Sequence, residues 1–304
     1  MGLVTAKEVA AAVNLKKYGF FGTFIGWFLM KVTRISSINR CYDTYKHLEG
    51  VAFLQAILEH YKIDFEIPEE DFRRVPKDGA YITISNHPLG GIDGALLLKL
   101  ILAHRADFKI IANFLLHRLA PVKPYILPVN PFENHKSAKS SIAGFKNAMK
   151  HLNEGHPLGI FPAGEVSTYK DGKLAVDKPW EEAALKLIRK AEVPVVPIYF
   201  HAKNSKLFYR LSKISDVFRT AKLPSEVYSQ KNRPIKIRIG QPISVKTQKE
   251  QGTLEEFTEL LRRKTYILSN AYEKERLIDQ IPTTLKIPKA PKKIASPIPT
   301  EVMQ

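Results

Sequence analysis

The stretch AYITISNHPLGGIDGALLLKLILAHR, residues 80–105, decides the fold. Its first part, AYITIS, is a short β-rich run, and its last part, DGALLLKLILAHR, is an apolar run of helical length. Between them stand three polar residues, Asn86, His87 and Asp93, among Pro88, Gly90 and Gly91. A strand that ends near Ser85 puts Asn86 and His87 at its carboxyl end, with Pro88 fixing the exit turn. Gly90 and Gly91 permit positive φ and let a backbone or substrate come close. Asp93 falls where a helix begins, a favourable place for a carboxylate. A loop of this length can fold back so that the carboxylate meets one imidazole nitrogen and leaves the other as a base. Turn and cap work for the same two residues is the plainer alternative.

The alternation continues downstream. Further β-rich runs are FKIIA (108–112), YILPV (125–129), PLGIF (157–161), PVVPIYF (194–200) and IKIRIG (235–240). Helical candidates lie between them, among them AKSSIAGFKNAMKHLNEG (138–155) and KPWEEAALKLIRKAE (178–192). Strands alternating with helices predict an α/β domain with a mostly parallel central sheet covered by helices on both faces. In such folds the functional site gathers at the carboxyl ends of the strands. Residues 1–65 read as helical without strand-like alternation, residues 66–280 as the α/β domain, and residues 281–304, rich in Pro and Lys, as a disordered basic tail. TLEEFTELLRRKTYILSNAYEKERL (253–277) reads as a long amphipathic helix docking on the domain.

A second corner repeats the pattern of the first. In FPAGEVS (161–167) a strand leads into Phe161, Pro162, Ala163, Gly164, Glu165 and Ser167. Two corners on the same edge of a parallel sheet share one cleft. Gly164 lets neighbouring amides point inward as oxyanion donors, while Glu165 and Ser167 could hold an acceptor head group. An ordinary strand-to-helix turn is the bland reading of this corner.

Lys and Arg number 47 against 30 Asp and Glu, a formal net charge of +17, which draws nucleic acid, anionic membrane surfaces and acidic proteins. No zinc-finger spacing or RNP-like aromatic strand supports nucleic acid, and the basic residues are scattered, so none is expected as a partner. The single cysteine, Cys41, forms no internal disulfide and no cysteine-rich metal site; it reads as a small buried hydrophobe in a reducing compartment. The apolar segment 19–30 is too short to span a membrane and has no cleavage site after it. Phe20, Phe21, Phe24, Ile25, Trp27, Phe28 and Leu29, with Lys16, Lys17, Lys31 and Arg34 at the edges, fit an interfacial helix, the alternative being a helix packed in the core.

The chain resembles the glycerolipid acyltransferase family, whose motifs Asn-His-x4-Asp, Phe-Pro-Glu-Gly-Thr-x-Ser and Val-Pro-x-x-Pro correspond to NHPLGGID, FPAGEVS and VPVVPIYF, in the family's order, within residues 80–240. The resemblance implies that His87 is a general base oriented by Asp93, deprotonating an acceptor hydroxyl that attacks an acyl thioester. Asn86, Gly90, Gly91, Phe161, Pro162, Gly164, Glu165 and Ser167 would then line the substrate site. No metal and no cofactor is implied. The donor would be acyl carrier protein or acyl-CoA, the acceptor a lyso-lipid, and the location the cytoplasmic face of the inner membrane, on an anionic lipid surface.

The departures narrow the acceptor. Five residues rather than four separate His87 from Asp93. Ala163 replaces the family's glutamate, Val166 stands where many members have arginine, and YILPVNPFENHKSAK (125–139) lacks the arginine of the second motif. Those arginines match a phosphate in members that acylate lysophosphatidic acid. Their loss resembles the branch that acylates lyso forms of amino-acid lipids, such as ornithine or glycine lipids, with His135, Lys136 and Lys139 as remaining sources of positive charge and Glu165 open to an acceptor amine. The rivals are acylation of 1-acylglycerol 3-phosphate, lipid hydrolysis by the same pair, nucleic-acid binding, and a membrane scaffold.

Overall fold

The computed structural model describes residues 3–12, 15–129, 138–170, 174–214 and 216–269. Nine strands are present among them: β1 (Phe65–Glu66), β2 (Ile82–Ser85), β3 (Lys109–Asn113), β4 (Ile126–Val129), β5 (Leu158–Ile160), β6 (Thr168–Lys170), β7 (Leu174–Val176), β8 (Val195–His201) and β9 (Ile235–Ile239). Seven form one sheet in the order β1-β9-β8-β2-β5-β3-β4. From β8 to β4 all neighbours are parallel, while β9 runs antiparallel to β8. β6 and β7 form a separate antiparallel pair. The six runs read as strands are all in the large sheet. The reversal of β9 and the small hairpin were not anticipated, because neither strand direction nor a three-residue strand leaves a periodic signal.

Among the described residues twelve α-helices cover and extend the sheet: α1 (Ala6–Ala12), α2 (Gly19–Val32), α3 (Ile35–Tyr45), α4 (Gly50–His60), α5 (Glu69–Phe72), α6 (Gly91–Leu102), α7 (Ala138–Asn153), α8 (Glu182–Ala191), α9 (Lys206–Ser212), α10 (Asp216–Glu226), α11 (Val245–Lys249) and α12 (Leu254–Tyr266). Alternate residues of β8 feed the two faces of the sheet. Val196, Ile198 and Phe200 join a core with α4 and α6, and Val195 and Tyr199 join one with α8 and α12. This two-sided burial is why the run PVVPIYF is continuously apolar. Both α1 and α12 begin with capping boxes, Thr5 with Glu8 and Thr253 with Glu256, in which hydroxyl and carboxylate each accept the other residue's backbone N–H. The disordered-tail reading of residues 281–304 lies outside the described residues.

The helical N-terminus divides by packing. Cys41 on α3 and Phe53, Leu54 and Leu58 on α4 belong to the main core, and burial pushes the Cys41 thiol up. α2 behaves differently. Its Gly22 and Gly26 face α1 and the turn before α2 so closely that a Cβ would meet Leu15 O at 2.1 Å and Ala6 O at 2.2 Å. On the other faces Phe20 is 89% exposed, and Phe21, Phe24, Trp27 and Phe28 are exposed as well. Lys31 Nζ sits 4.0 Å from the centre of the Trp27 ring. Among the described residues no helix is long and apolar enough to cross a membrane.

Candidate active site

β2 and β5 are parallel neighbours with Ile84 opposite Ile160, so the chain leaves both strands at the same end of the sheet. The corners NHPLGGID and FPAGEVS therefore stand side by side, next to the point where connections from β2 and β5 cross to opposite sides, the place where α/β sheets open a crevice. The His87 and Phe161 rings lie 4.3 Å apart between centroids, and Phe161 packs in turn towards Phe200.

His87 Nδ1 is 3.1 Å from Asp93 Oδ2. The two atoms touch without the alignment of a straight hydrogen bond, and Nδ1 and Asp93 Oδ1 are buried atoms with no hydrogen-bond partner among the described residues. Asp93 Oδ2 also accepts the backbone N–H groups of Leu89 at 2.7 Å and Gly90 at 3.0 Å. The loop thus wraps around the carboxylate that begins α6, and cap and dyad are one arrangement. Burial pushes the Asp93 carboxyl up from its ordinary range, against the pull of His87 and the two amides. A carboxylate held in so dry a place gains most when a cation forms beside it. The His87 side chain is 17% exposed and Asp93 fully buried, so the imidazole bridges the interior and the surface.

The two glycines differ. Gly90 has φ +79°, and a Cβ there would meet Val166 Cγ2 at 3.1 Å and Leu223 Cδ2 at 3.2 Å. Gly91 is exposed, lacks positive φ, and has open space where its Cβ would lie. The extra residue between His87 and Asp93 is absorbed by a turn that needs Gly90 alone.

Several residues expected at the substrate site hold the corner together. Asn86 is 4% exposed, and its amide donates to Phe200 O at 3.0 Å and accepts from Phe200 N at 2.7 Å, pinning the end of β2 to β8. Ser167 is 2% exposed; its N–H donates to His87 O at 2.9 Å and its hydroxyl to Asp177 Oδ1 at 2.7 Å. The Gly164 N–H donates to Phe161 O at 3.0 Å within the turn, at φ +64°. The Gly164 and Ser167 amides are thus both taken up within the corner. Pro162 is buried, with its carbonyl accepting from Glu181 N at 2.8 Å. Glu165 Oε2 accepts from Lys178 Nζ and from an Arg219 guanidinium nitrogen, each at 2.8 Å. Burial raises the Glu165 pKa, but these two cations outweigh it and leave the carboxyl below its ordinary range. His135 and Lys136, and the side chain of Lys139, lie outside the described residues.

Two residues escaped sequence reasoning. Asp177, 3% exposed, accepts from His87 N at 3.1 Å, from the Ser167 hydroxyl, and from Trp180 Nε1 at 3.4 Å, so one carboxylate ties both corners together. Its own backbone is anchored by Tyr266 and Arg262 of α12. The other is Arg219, on a helix that no motif announced. An unusual acid beside β7 was the only available sign of Asp177, since its partners at the two corners, Ser167 and His87, are 10 and 90 residues away.

The chain is 28% identical over 274 residues to the lyso-glycine lipid O-acyltransferase of Bacteroides thetaiotaomicron, covering 88% of this chain and 97% of that one. It is 26% identical to the enzyme of the same name from Phocaeicola vulgatus, covering 88% and 95%. A solved structure, the 1-acyl-sn-glycerophosphate (LPA) acyltransferase PlsC from Thermotoga maritima, matches with a TM-score of 0.47 and 16% identity over 83% of this chain and 89% of that one. The Acyltransferase family profile extends over residues 8–275, from α1 past α12, and with both corners inside that span the chain belongs to the acyltransferase family.

Proposed function

We propose that this acyltransferase moves a fatty acyl group from a thioester to the hydroxyl of a lyso-lipid, preferentially a monoacyl amino-acid lipid, with His87 as general base. The observation that carries the reading is the partly exposed His87 imidazole set against a fully buried Asp93. With Nδ1 turned to Asp93, Nε2 takes the proton of the acceptor hydroxyl as its oxygen attacks the thioester carbonyl. The tetrahedral intermediate then collapses, the C–S bond breaks, and the thiolate leaves with the proton that the imidazolium returns. Asp93 favours the imidazolium in between. Such base catalysis contributes about 10²–10⁴ in rate, the remainder coming from positioning and oxyanion stabilisation. No protein nucleophile is required.

The acceptor class is supported by the names of the two curated relatives and by Ala163 and Val166 in the second corner. Acyl carrier protein and acyl-CoA are both anionic donors suited to a chain of formal charge +17. The membrane surface is reached through α2, whose bare aromatic face and flanking lysines suit the boundary between head groups and acyl chains, on the cytoplasmic side of the inner membrane. Purified protein offered a monoacyl amino-acid lipid and lysophosphatidic acid with a labelled thioester tests the reading. Turnover of the former is expected to exceed that of the latter, and exclusive use of lysophosphatidic acid would overturn the acceptor assignment.

A further inference from the structure

The cluster of Glu165, Lys178 and Arg219 is not used by the proton transfer, yet each member stands one step from a group that touches the His87–Gly90 loop. Glu165 precedes Val166, which packs on Gly90. Lys178 follows Asp177, which accepts the His87 N–H. Arg219 lies one helical turn before Leu223, the other residue packed on Gly90, so both project from the same side of α10. Three separate segments thus converge beside the His87–Gly90 loop. Two cations meet on a single oxygen of one carboxylate, both at 2.8 Å. Arg219 is only 8% exposed, so its guanidinium is set in protein rather than in bulk water, where an anion beside it counts for more.

We propose that Arg219 and Lys178 form the head-group subsite, binding the carboxylate of an N-acylated amino acid, with Glu165 as the resident counter-ion that the substrate carboxylate joins or displaces. The inference rests on the acceptor class proposed above and narrows it. An acceptor with a side-chain amine would bring a third cation to a place that already holds two. A head group whose only charge is a carboxylate, as in an N-acylated glycine, complements it. The arginine absent from the second corner is thereby supplied from α10, on the far side of the cleft in sequence. A phosphate on the acyl donor carries the same charge, and the kinetics separate the two sources.

The experiment measures KM for acceptor and donor separately, with full-length Arg219→Gln, Lys178→Gln and Glu165→Gln proteins, on an N-(3-hydroxyacyl)glycine, its methyl ester, and 1-acylglycerol 3-phosphate. Arg219→Gln is expected to raise KM for the free carboxylate about tenfold or more, with the donor KM unmoved. Lys178→Gln, at a more exposed position, moves it the same way by less and serves should Arg219→Gln not fold. Glu165→Gln moves it the opposite way, because the resident competitor is gone. On the methyl ester the wild type and variants converge. A change confined to the donor KM, or equal effects on acid and ester, overturns the subsite while leaving the acyl-transfer reading intact. A wild type inactive on N-acylglycine and active on 1-acylglycerol 3-phosphate overturns both.

Discussion

Two histidine–aspartate pairs sit at opposite ends of the same sheet. At the carboxyl end of β2, His87 Nδ1 lies 3.1 Å from Asp93 Oδ2; before β5, His156 Nδ1 lies 2.7 Å from Asp107 Oδ2. The shorter pair is the less useful one. Asp107 is already gripped by Arg105 through two nitrogens, at 2.9 and 2.7 Å, and the guanidinium, ahead of His156, holds its carboxyl well below the ordinary range. Its side chain and that of His156 are 31% and 39% exposed, so solvent screens what remains. Asp93 is fully buried, has no Lys or Arg partner among the described residues, and is raised by burial. Only the imidazole can neutralise it. A dyad is therefore distinguished by what else the carboxylate holds and by how dry it is, and less by the separation itself.

Exchanging the acids breaks this contrast most directly. Asp93→Asn is expected to lower kcat by about 10²–10⁴, while Asp107→Asn leaves acyl transfer within about twofold. Initial rates on the preferred lyso-lipid read both, and equal losses would mean that the two ends are equivalent. Asp177→Asn, which keeps the shape of the hub that joins the corners, should cost about tenfold in kcat with both KM values preserved, since it shifts the base without touching substrate. A pure KM effect there would contradict a positioning role.

Stability sharpens the comparison further. Gly90→Ala meets positive φ and close contacts with Val166 and Leu223, and should cost about 1–3 kcal/mol in denaturant unfolding. Gly91→Ala should stay within about 0.5 kcal/mol. The smallest effect is in the pH dependence. Asp107, depressed, contributes stability above the unfolded pKa of about 3.9 that is lost as pH falls towards its folded value. Asp93, raised, contributes below about pH 3.9 and loses that contribution as pH rises through its folded value. The wild-type melting temperature minus that of Asp107→Asn should therefore grow with rising pH, and the difference from Asp93→Asn should shrink. Parallel curves would refute the opposite shifts.

The same physics explains what could be read from the chain. Strands buried on both faces and helices of ordinary length carry dense local patterns, so β2, β3, β4, β5, β8 and β9 were all visible, as were His87 and Asp93, separated by one tight turn. Asn86, Ser167 and Glu165 were rightly placed at the corners, but their partners, Phe200, Asp177, Lys178 and Arg219, are brought by the fold from 10 to 114 residues away. A polar side chain at a corner is legible as polar. Whether it faces substrate or a neighbouring backbone depends on those distant partners, and no spacing rule encodes them. α10, with a proline inside it, gave no clean helical pattern, and with it went Arg219.

In the proposed reaction His87, and not merely a histidine beside an acid, carries the proton. This is tested most directly by single-turnover acyl transfer with His87→Ala and His156→Ala proteins of unchanged circular dichroism. The account predicts a loss of about 10²–10⁴ for His87→Ala and a near-wild-type rate for His156→Ala; full activity retained by folded His87→Ala protein would contradict it.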